Sequence, residues 1–246
     1  MISADDIIPM ITGHVVMHER PGDPLSGQPI VLCAYLIRHP GGPILFDTGI
    51  ALLDEENEAA HRPWRRPLDD VLAGADARVG DVKLVANCHL HFDHSGNNHR
   101  FAGRPIFAQR VEHAAAFEPD YTMPGIADFG GAAYVLLEGA SEIAAGVRIV
   151  PSPGHTPGHQ ALVVDTRQGQ VVLAGQTFNT TSEYAAAEYA WRLAQQGRDE
   201  GFRIPDWMPA VAAMDPWQVR FAHDVAIWQA PRLGARLTAR HPSVPG

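Results

Sequence analysis

Short apolar runs bounded by Gly, Pro or Asp make up much of the first two thirds of the chain. Each run is rich in Val, Ile and Leu and only a few residues long, which is typical of buried β-strands. The predicted strands cover residues 29–39, 43–49, 82–91, 146–153 and a pair within 160–175. Between consecutive predicted strands, HPGGP at 39–43 and RQG at 167–169 have the spacing of hairpin turns.

Segments with helical character lie between and after these strands. Four helices are predicted, with one more expected near the C terminus. They cover residues 95–101, 109–117, 182–197 and 207–214. The length is compatible with one large α/β or β-rich domain or with two small ones. Because the sequence contains no repeat, low-complexity tract or linker, a single domain spanning residues 1–246 is predicted.

Two stretches follow neither pattern. Residues 51–70 and 118–131 combine Pro, Gly, charged residues and isolated aromatic side chains, which is typical of mobile surface loops. Both are therefore candidates for a lid. Four of their large side chains either line a substrate pocket or only fix the loops to the body of the protein. These side chains are Trp64, Tyr121, Met123 and Phe129.

Composition narrows the function classes. The formal net charge of -9 disfavours a nucleic-acid partner. Cys33 and Cys88 lie in apolar runs and are predicted to be buried thiols, which suits a reducing compartment. The acidic N terminus lacks a secretory signal pattern, and no run approaches the roughly 18 apolar residues of a membrane span. A soluble, cytoplasmic protein without a membrane partner is therefore expected.

The strongest chemical signal is the stretch CHLHFDHSGNN at residues 88–98. In an extended strand, residues two apart point to the same side, so His89 and His91 can direct both imidazoles at one point. Asp93 and His94 follow as the chain turns, and the four side chains can share a small volume. Imidazole and carboxylate ligands suit Zn, Fe, Mn or Co. The motif predicts a site for one or two metal ions; the alternative is a surface histidine patch without metal.

Two later histidines can complete this site. His155 lies in PSPGHTPGHQ, where Pro and Gly residues hold it on a tight loop after a predicted strand. His223 closes the short apolar run in VRFAHD, again at a strand-like end. Single histidines of this kind are usually ordinary loop residues. After a cluster such as that at 89–94, we interpret both as its missing ligands.

In order and spacing, these motifs resemble the metallo-β-lactamase superfamily over about residues 29–225. The resemblance is carried by ILFDTG at 44–49, H-x-H-x-D-H at 89–94, G-H-T-P-G-H at 154–159 and the late His223. Within the superfamily, the chain is most similar to the N-acyl homoserine lactone hydrolases, which are lactonases of quorum quenching. The resemblance implies an α/β fold, the αβ/βα four-layer sandwich, with a dinuclear metal site in a cleft at one sheet edge.

The resemblance also implies two sets of metal ligands. The first set is His89, His91 and His155, and the second set is Asp93, His94 and His223. Asp47 would lie beside the ligands, where a carboxylate can fix an imidazole tautomer. His159 would brace its loop rather than bind metal.

Two positions depart from the family pattern. Where the family usually has a bridging aspartate, the segment VVLAGQTFN places Gln176. A neutral amide bridges two cations poorly, so three outcomes are open: one tightly held ion, two ions bridged mainly by hydroxide with Gln176 as a weak ligand, or loss of hydrolysis. Three residues later, Asn179 replaces the usual tyrosine. Asn179, or Tyr184 from the next helix, could instead contact the substrate.

The expected function is the opening of a lactone by metal-bound hydroxide, because metal lowers the pKa of bound water from ~15.7 toward ~7. Asp93 would carry the proton from the nucleophile to the leaving alkoxide. The rivals are a superfamily hydrolase acting on a thioester, β-lactam or phosphodiester, and a non-catalytic metal-binding protein. The expected partner is a small-molecule substrate, and a homodimer would be ordinary.

Overall fold

The computed structural model describes residues 2–17, 25–198 and 201–230. Within these ranges the strands are β1 (Ile7–Val16), β2 (Pro29–Ile37), β3 (Ile44–Phe46), β4 (Trp64–Arg65), β5 (Leu84–Ala86), β6 (Pro105–Gln109), β7 (Ala133–Leu137), β8 (Ser141–Ala144), β9 (Val147–Pro151), β10 (Gln160–Thr166), β11 (Gly169–Leu173), β12 (Gln218–Arg220) and β13 (Ile227–Gln229). The helices are α1 (Glu55–His61), α2 (Leu68–Ala73), α3 (Phe92–Ser95), α4 (Arg110–Ala115), α5 (Thr181–Gln195) and α6 (Met208–Ala213).

The strands form two mixed sheets. The first has seven strands in the order β4-β1-β2-β3-β5-β6-β7, and the second has six in the order β13-β12-β11-β10-β9-β8. β3, β5, β6 and β7 are mutually parallel, and so are β11 and β12. The remaining neighbours pair antiparallel, as between β1 and β2 or β10 and β11.

The main core lies between the two sheets. Phe46 and Ala86 of the first sheet belong to the same buried cluster as Leu162 and Val171 of the second. The outer face of the first sheet is covered by α2 through Leu68, Val71 and Leu72, and that of the second by α5 and α6 through Tyr184, Met208 and Val211. Helices therefore lie outside two packed sheets, which confirms the predicted αβ/βα sandwich.

The predicted strands all occur, somewhat shorter than their apolar runs. Sequence reasoning missed β1, because Pro9 and Gly13 interrupt its apolar pattern; its register against β2 shifts between Ile11 and Gly13. The expectation that 51–70 is a loop was wrong, since α1 and α2 lie there. Residues 118–131 do form turns without helix or strand, and the helix expected near the C terminus falls on residues 231–246, outside the described residues.

Two further observations bear on the sequence-based expectations. Cys33 and Cys88 are both buried and free. No helix in the described ranges is long and apolar enough to cross a bilayer.

Candidate metal centre

The candidate ligands gather where strands of both sheets end. His89 follows β5 and His155 follows β9, while Gln176 and His223 follow β11 and β12. Carboxyl ends of strands in α/β folds are common sites for ligands, because loops from several strands meet there. Backbone bonds join the two sheets at this edge: Gln160 N donates to Cys88 O at 2.8 Å, and Cys33 N donates to Ala222 O at 2.7 Å.

The first predicted set of ligands is brought together. His91 Nδ1 lies 3.0 Å from His89 Nε2 and 3.2 Å from His155 Nε2. Tetrahedral ligands about 2.05 Å from a shared zinc ion would be about 3.3 Å apart. The three imidazole nitrogens therefore have the spacing of ligands to one ion.

The second set is also brought together. Asp93 Oδ2 lies 3.3 Å from His94 Nε2 and 3.8 Å from His223 Nε2. Both of these imidazole nitrogens are buried without a hydrogen-bond partner in the structure. A buried polar atom without a partner carries a cost in free energy. A cation beside Asp93 would satisfy both nitrogens, so the residues fit a metal ion.

Burial and neighbouring charges set the protonation states of Asp93, His94 and His89 within this cluster. Burial alone would raise the pKa of the Asp93 carboxyl, but the charges of the neighbouring imidazoles, first His94 and then His223 and His91, hold that pKa well below its usual range. Burial opposes protonation of His94, but Asp93, Cys88 and Asp47 together outweigh it and raise the pKa of His94 well above its ordinary value. Burial, and then His94, lower the pKa of His89 well below its ordinary value. Asp93 is therefore ionised and His89 neutral at neutral pH, as ligands must be.

His159 braces its loop, the role that the resemblance implied. Its Nδ1 faces Ser152 Oγ at 2.9 Å, and its Nε2 accepts the Gln176 backbone N–H at 3.0 Å. Gly175 precedes Gln176 with φ +58°, and a Cβ there would lie 2.4 Å from Cys88 Cβ. Only glycine allows the β11 end to approach the ligand strand this closely.

Gln176 and Asn179 both line the cavity described below. The Gln176 side chain is buried, and its amide donates to Asn179 Oδ1 at 3.3 Å. Asn179 N donates to Glu183 Oε2, and Thr180 and Glu183 form a capping box at the start of α5. The cap thus fixes Asn179 at the cavity edge.

Tyr184 does not lie at this site, so its predicted contact with substrate is corrected. Its side chain is 1% exposed and packs among aromatic residues of the second sheet's outer core. The ring centroid lies 5.5 Å from Phe221 and 5.2 Å from Trp228. As an early residue of α5, it sits on the helix face that covers the sheet, which the sequence alone did not distinguish from the cavity face.

A cavity of about 1200 Å³ opens over the cluster, with His91, Asp93 and His155 in its wall. Of the four aromatic or apolar candidates, Tyr121 and Met123 line it. Trp64 is instead exposed beside His14, with ring centroids 5.4 Å apart. Phe129 packs on the core under the first sheet.

Sequence reasoning missed Glu112, which is 1% exposed and bonds to both ligand loops. It lies in RVEHAA, where a single acidic residue in a short helix carries no local signal. Its role depends on contacts that only the folded chain creates.

Residues 34–235 match the model of the metallo-beta-lactamase superfamily. An N-acyl homoserine lactonase of Bacillus sp. is 33% identical over 170 residues, which are 62% of this chain and 64% of the relative. The lactonase AttM of Rhizobium radiobacter is 31% identical over 154 residues, 53% of this chain and 58% of that protein. The matched regions thus span less than two thirds of these curated relatives.

Solved structures have the same fold. A quorum-quenching N-acyl homoserine lactone lactonase is 25% identical, covers 92% of this chain and 93% of its own, and gives a TM-score of 0.66. An N-acyl homoserine lactone hydrolase with the product N-hexanoyl-L-homoserine at its catalytic metal centre is 24% identical, with coverage of 92% and 94% and a TM-score of 0.67. The family match and the His, Asp and Cys cluster together imply divalent-metal binding.

Proposed function

The chain belongs to the metallo-β-lactamase superfamily, and on that basis we propose that it is a metal-dependent hydrolase that opens N-acyl homoserine lactones. The observation that carries the proposal is the pair of ligand sets, His89, His91 and His155 beside Asp93, His94 and His223. His91, Asp93 and His155 of these sets lie in the wall of one cavity. The similarity to named lactonases supports the choice of substrate.

We propose zinc as the ion, with one or two per chain; iron, manganese and cobalt suit the same ligands. A divalent ion held there would lower the pKa of water toward neutrality and polarise a carbonyl oxygen. Gln176 adds an amide oxygen but no charge, so the second set relies on Asp93 as its carboxylate.

Asp93 is the residue placed to move a proton. Its ionised carboxylate can accept the proton from the attacking water and return it to the leaving alkoxide when the ring opens. It lies at the cavity wall, where its side chain is 12% exposed, so a substrate in the cavity can reach it. His94 and His223 hold it from the opposite side.

The cavity offers an apolar surface for an acyl chain. Val15, Phe92, Phe117, Met123 and Phe178 line it, together with the Tyr121 ring. Burial of each methylene of an acyl chain contributes about 0.8 kcal/mol. The Asn179 amide, on the same wall, can donate to a carbonyl of the substrate.

The charge of the cavity favours a neutral substrate over an anionic one. Besides Asp93, its wall holds five acidic residues, and none of the described residues that line it is Lys or Arg. The five are Asp54, Glu118, Asp120, Asp128 and Glu183. A lactone carries no charge, whereas β-lactam antibiotics and phosphodiesters are anions that this field repels.

We propose that the protein works in a reducing, cytoplasmic location, which the two free, buried cysteines support. We also propose that it forms a homodimer; its mass, measured by sedimentation of the purified protein, tests this.

A substrate panel tests the proposed reaction. Zinc-loaded protein would be assayed for kcat/KM on N-hexanoyl- and N-decanoyl-L-homoserine lactone, a penicillin, a thioester and a phosphodiester. We expect the two lactones to exceed every other substrate by at least about tenfold. A preference for the thioester, the penicillin or the phosphodiester would replace the substrate class, and binding of the lactones without turnover would favour a non-catalytic protein.

A further inference from the structure

The Glu112 carboxylate is buried between the two loops that carry the first ligand set. It lies in α4 and is 1% exposed. Removing a carboxylate from water is costly unless hydrogen bonds replace its hydration. Four donors converge on its two oxygens, and they come from three separate segments of the chain.

Three of these bonds connect the ligand loops. Oε1 accepts the Leu90 N–H at 2.8 Å, and Leu90 lies between His89 and His91. Oε2 accepts from Thr156 Oγ1 at 2.8 Å and from Gly158 N at 3.1 Å. The carboxylate therefore bridges the β5 loop and the G-H-T-P-G-H loop directly.

Packing makes this bridge tight. A Cβ added at Gly158 would lie 2.4 Å from the backbone nitrogen of Glu112, so the loop rests directly on α4. The contact fixes the distance between His91 and His155, which belong to the two bridged loops and whose ring nitrogens are 3.2 Å apart.

The fourth bond reaches the 118–131 segment. The Tyr121 hydroxyl donates to Glu112 Oε1, and its ring centroid lies 4.7 Å from that of His91. Tyr121 also lines the cavity. One buried carboxylate thus fixes the positions of the two ligand loops and of one wall of the substrate cavity relative to each other.

We propose that Glu112 is a positioning residue: it sets the geometry of the first ligand set and, through Tyr121, the wall of the cavity. The expected effect of Glu112 on lactone kinetics rests on the proposed function. The expected effect of Glu112 on metal binding does not. The geometry requires two acceptor oxygens at the end of a side chain of this length, because the carboxylate accepts hydrogen bonds from both loops at once.

The test compares four variants, E112Q, E112D, Y121F and the control E138Q. Glu138 is an exposed carboxylate that pairs with Arg110 and bonds to neither ligand loop. The E138Q substitution therefore removes a carboxylate without changing those loops. Zinc-loaded proteins are mixed with EDTA, and the rate of zinc loss is followed by metal analysis. The absorption spectrum of the cobalt-substituted proteins reports ligand geometry, and kcat and KM are measured with N-hexanoyl-L-homoserine lactone.

We expect E112Q and E112D to lose zinc at least about tenfold faster than the wild type and to change the cobalt spectrum. Gln fails because its NH₂ group cannot accept from the Thr156 and Gly158 donors, and Asp fails because it is too short. Y121F should keep zinc at the wild-type rate and raise KM several-fold at nearly constant kcat. E138Q should match the wild type in every readout.

Wild-type zinc loss and an unchanged cobalt spectrum in folded E112Q would overturn the proposal, and so would a normal E112D. If E112Q fails to fold, T156V removes one of the four bonds; zinc loss about threefold faster would support the proposal, and an unchanged rate would overturn it. A wild type that opens no lactone would refute the proposed function, while the zinc measurement would still decide the role of Glu112.

Discussion

Asp47 holds the imidazole of His94 through a buried contact: Asp47 Oδ2 lies 3.1 Å from His94 Nδ1, and each side chain is 2% exposed. Asp47 Oδ1 also accepts the Cys88 N–H at 2.8 Å. Because the carboxylate holds a proton on Nδ1, Nε2, which lies 3.3 Å from Asp93 Oδ2, is the nitrogen left to bind a metal ion. One aspartate therefore fixes both the orientation of the His94 imidazole and the segment after β5 that carries His89 and His91.

Replacing this carboxylate tests its effect on metal binding. D47N should weaken zinc affinity by about 10- to 100-fold, because the amide can turn its NH₂ group toward His94 and disfavour the ligand tautomer. Competition with a chromophoric chelator measures this. D76N is a matched control, since Asp76 also has a left-handed backbone but an exposed side chain. Equal affinity of D47N and the wild type would contradict the role.

Asp93 should be required for turnover more than for retention of metal. D93N is expected to lower kcat by about 10²- to 10⁴-fold, because an amide cannot accept the proton, while at least one zinc ion stays with the three histidines of the first set. Metal analysis and lactone kinetics on the same samples measure this. D128N is the control, because Asp128 is a carboxylate of the cavity wall that is not placed to transfer the proton. Near-normal kcat in D93N would refute the proton transfer.

Gln176 should limit the affinity for a second ion. Restoring a carboxylate with Q176D is expected to tighten the weaker of two zinc sites by about tenfold or more, because attraction between opposite charges is strong in a buried site. Calorimetric titration with zinc measures both sites, and Q176N serves as a neutral control. Two equally tight ions in the wild type, unchanged in Q176D, would show that the amide imposes no limit.

Acid should destabilise the metal-free protein. Burial, and then His94, lower the pKa of His159 to about 3 and that of His223 to about 4. At pH values below about 6.5, the pKa of a histidine in an unfolded chain, these imidazoles are protonated in the unfolded protein but remain neutral in the folded protein. The free energy of unfolding therefore falls as the pH drops toward 4. His94, with a raised pKa, is protonated in both states there and adds no slope.

Each such histidine contributes up to about 1.4 kcal/mol per pH unit to that loss of stability. Urea unfolding of metal-free protein between pH 7.5 and 4.5 measures the slope. H159N should make it shallower, while H99Q, at an exposed position, should leave it unchanged. A metal-free protein whose stability rises as the pH falls from 6.5 would contradict the assignment of neutral buried imidazoles.

The sequence contained most of the candidate site because its chemistry is local. The two-residue spacing of His89 and His91 predicted that an extended backbone would direct both to one side, although they lie just after β5 rather than in it, and the rigid Pro- and Gly-flanked loop presents His155. The sandwich followed from the family resemblance rather than from the apolar pattern, which left a β-rich fold open. The assignment of His89, His91 and His155 as metal ligands remains a prediction, which metal analysis tests.

What the sequence missed depends on tertiary contacts. Glu112 gains its importance only when three distant segments donate to it. Tyr184 was placed wrongly because the early turns of α5 can face either cavity or core, and the Trp207 and Phe221 rings decide for the core. The helices α1 and α2 were missed because each is only seven or six residues long and the segment between them contains Pro63 and Pro67.

Lactone opening and metal content, measured on the same samples, decide whether this protein is a metal-dependent lactonase. The rate of opening of N-hexanoyl-L-homoserine lactone would be compared for zinc-loaded protein, chelated protein and protein to which zinc has been returned. We expect the rate to be lost with the metal and to recover in proportion to the zinc bound. A loaded protein that opens no lactone, or a metal-free protein that opens it equally fast, would show that this protein is not a metal-dependent lactonase.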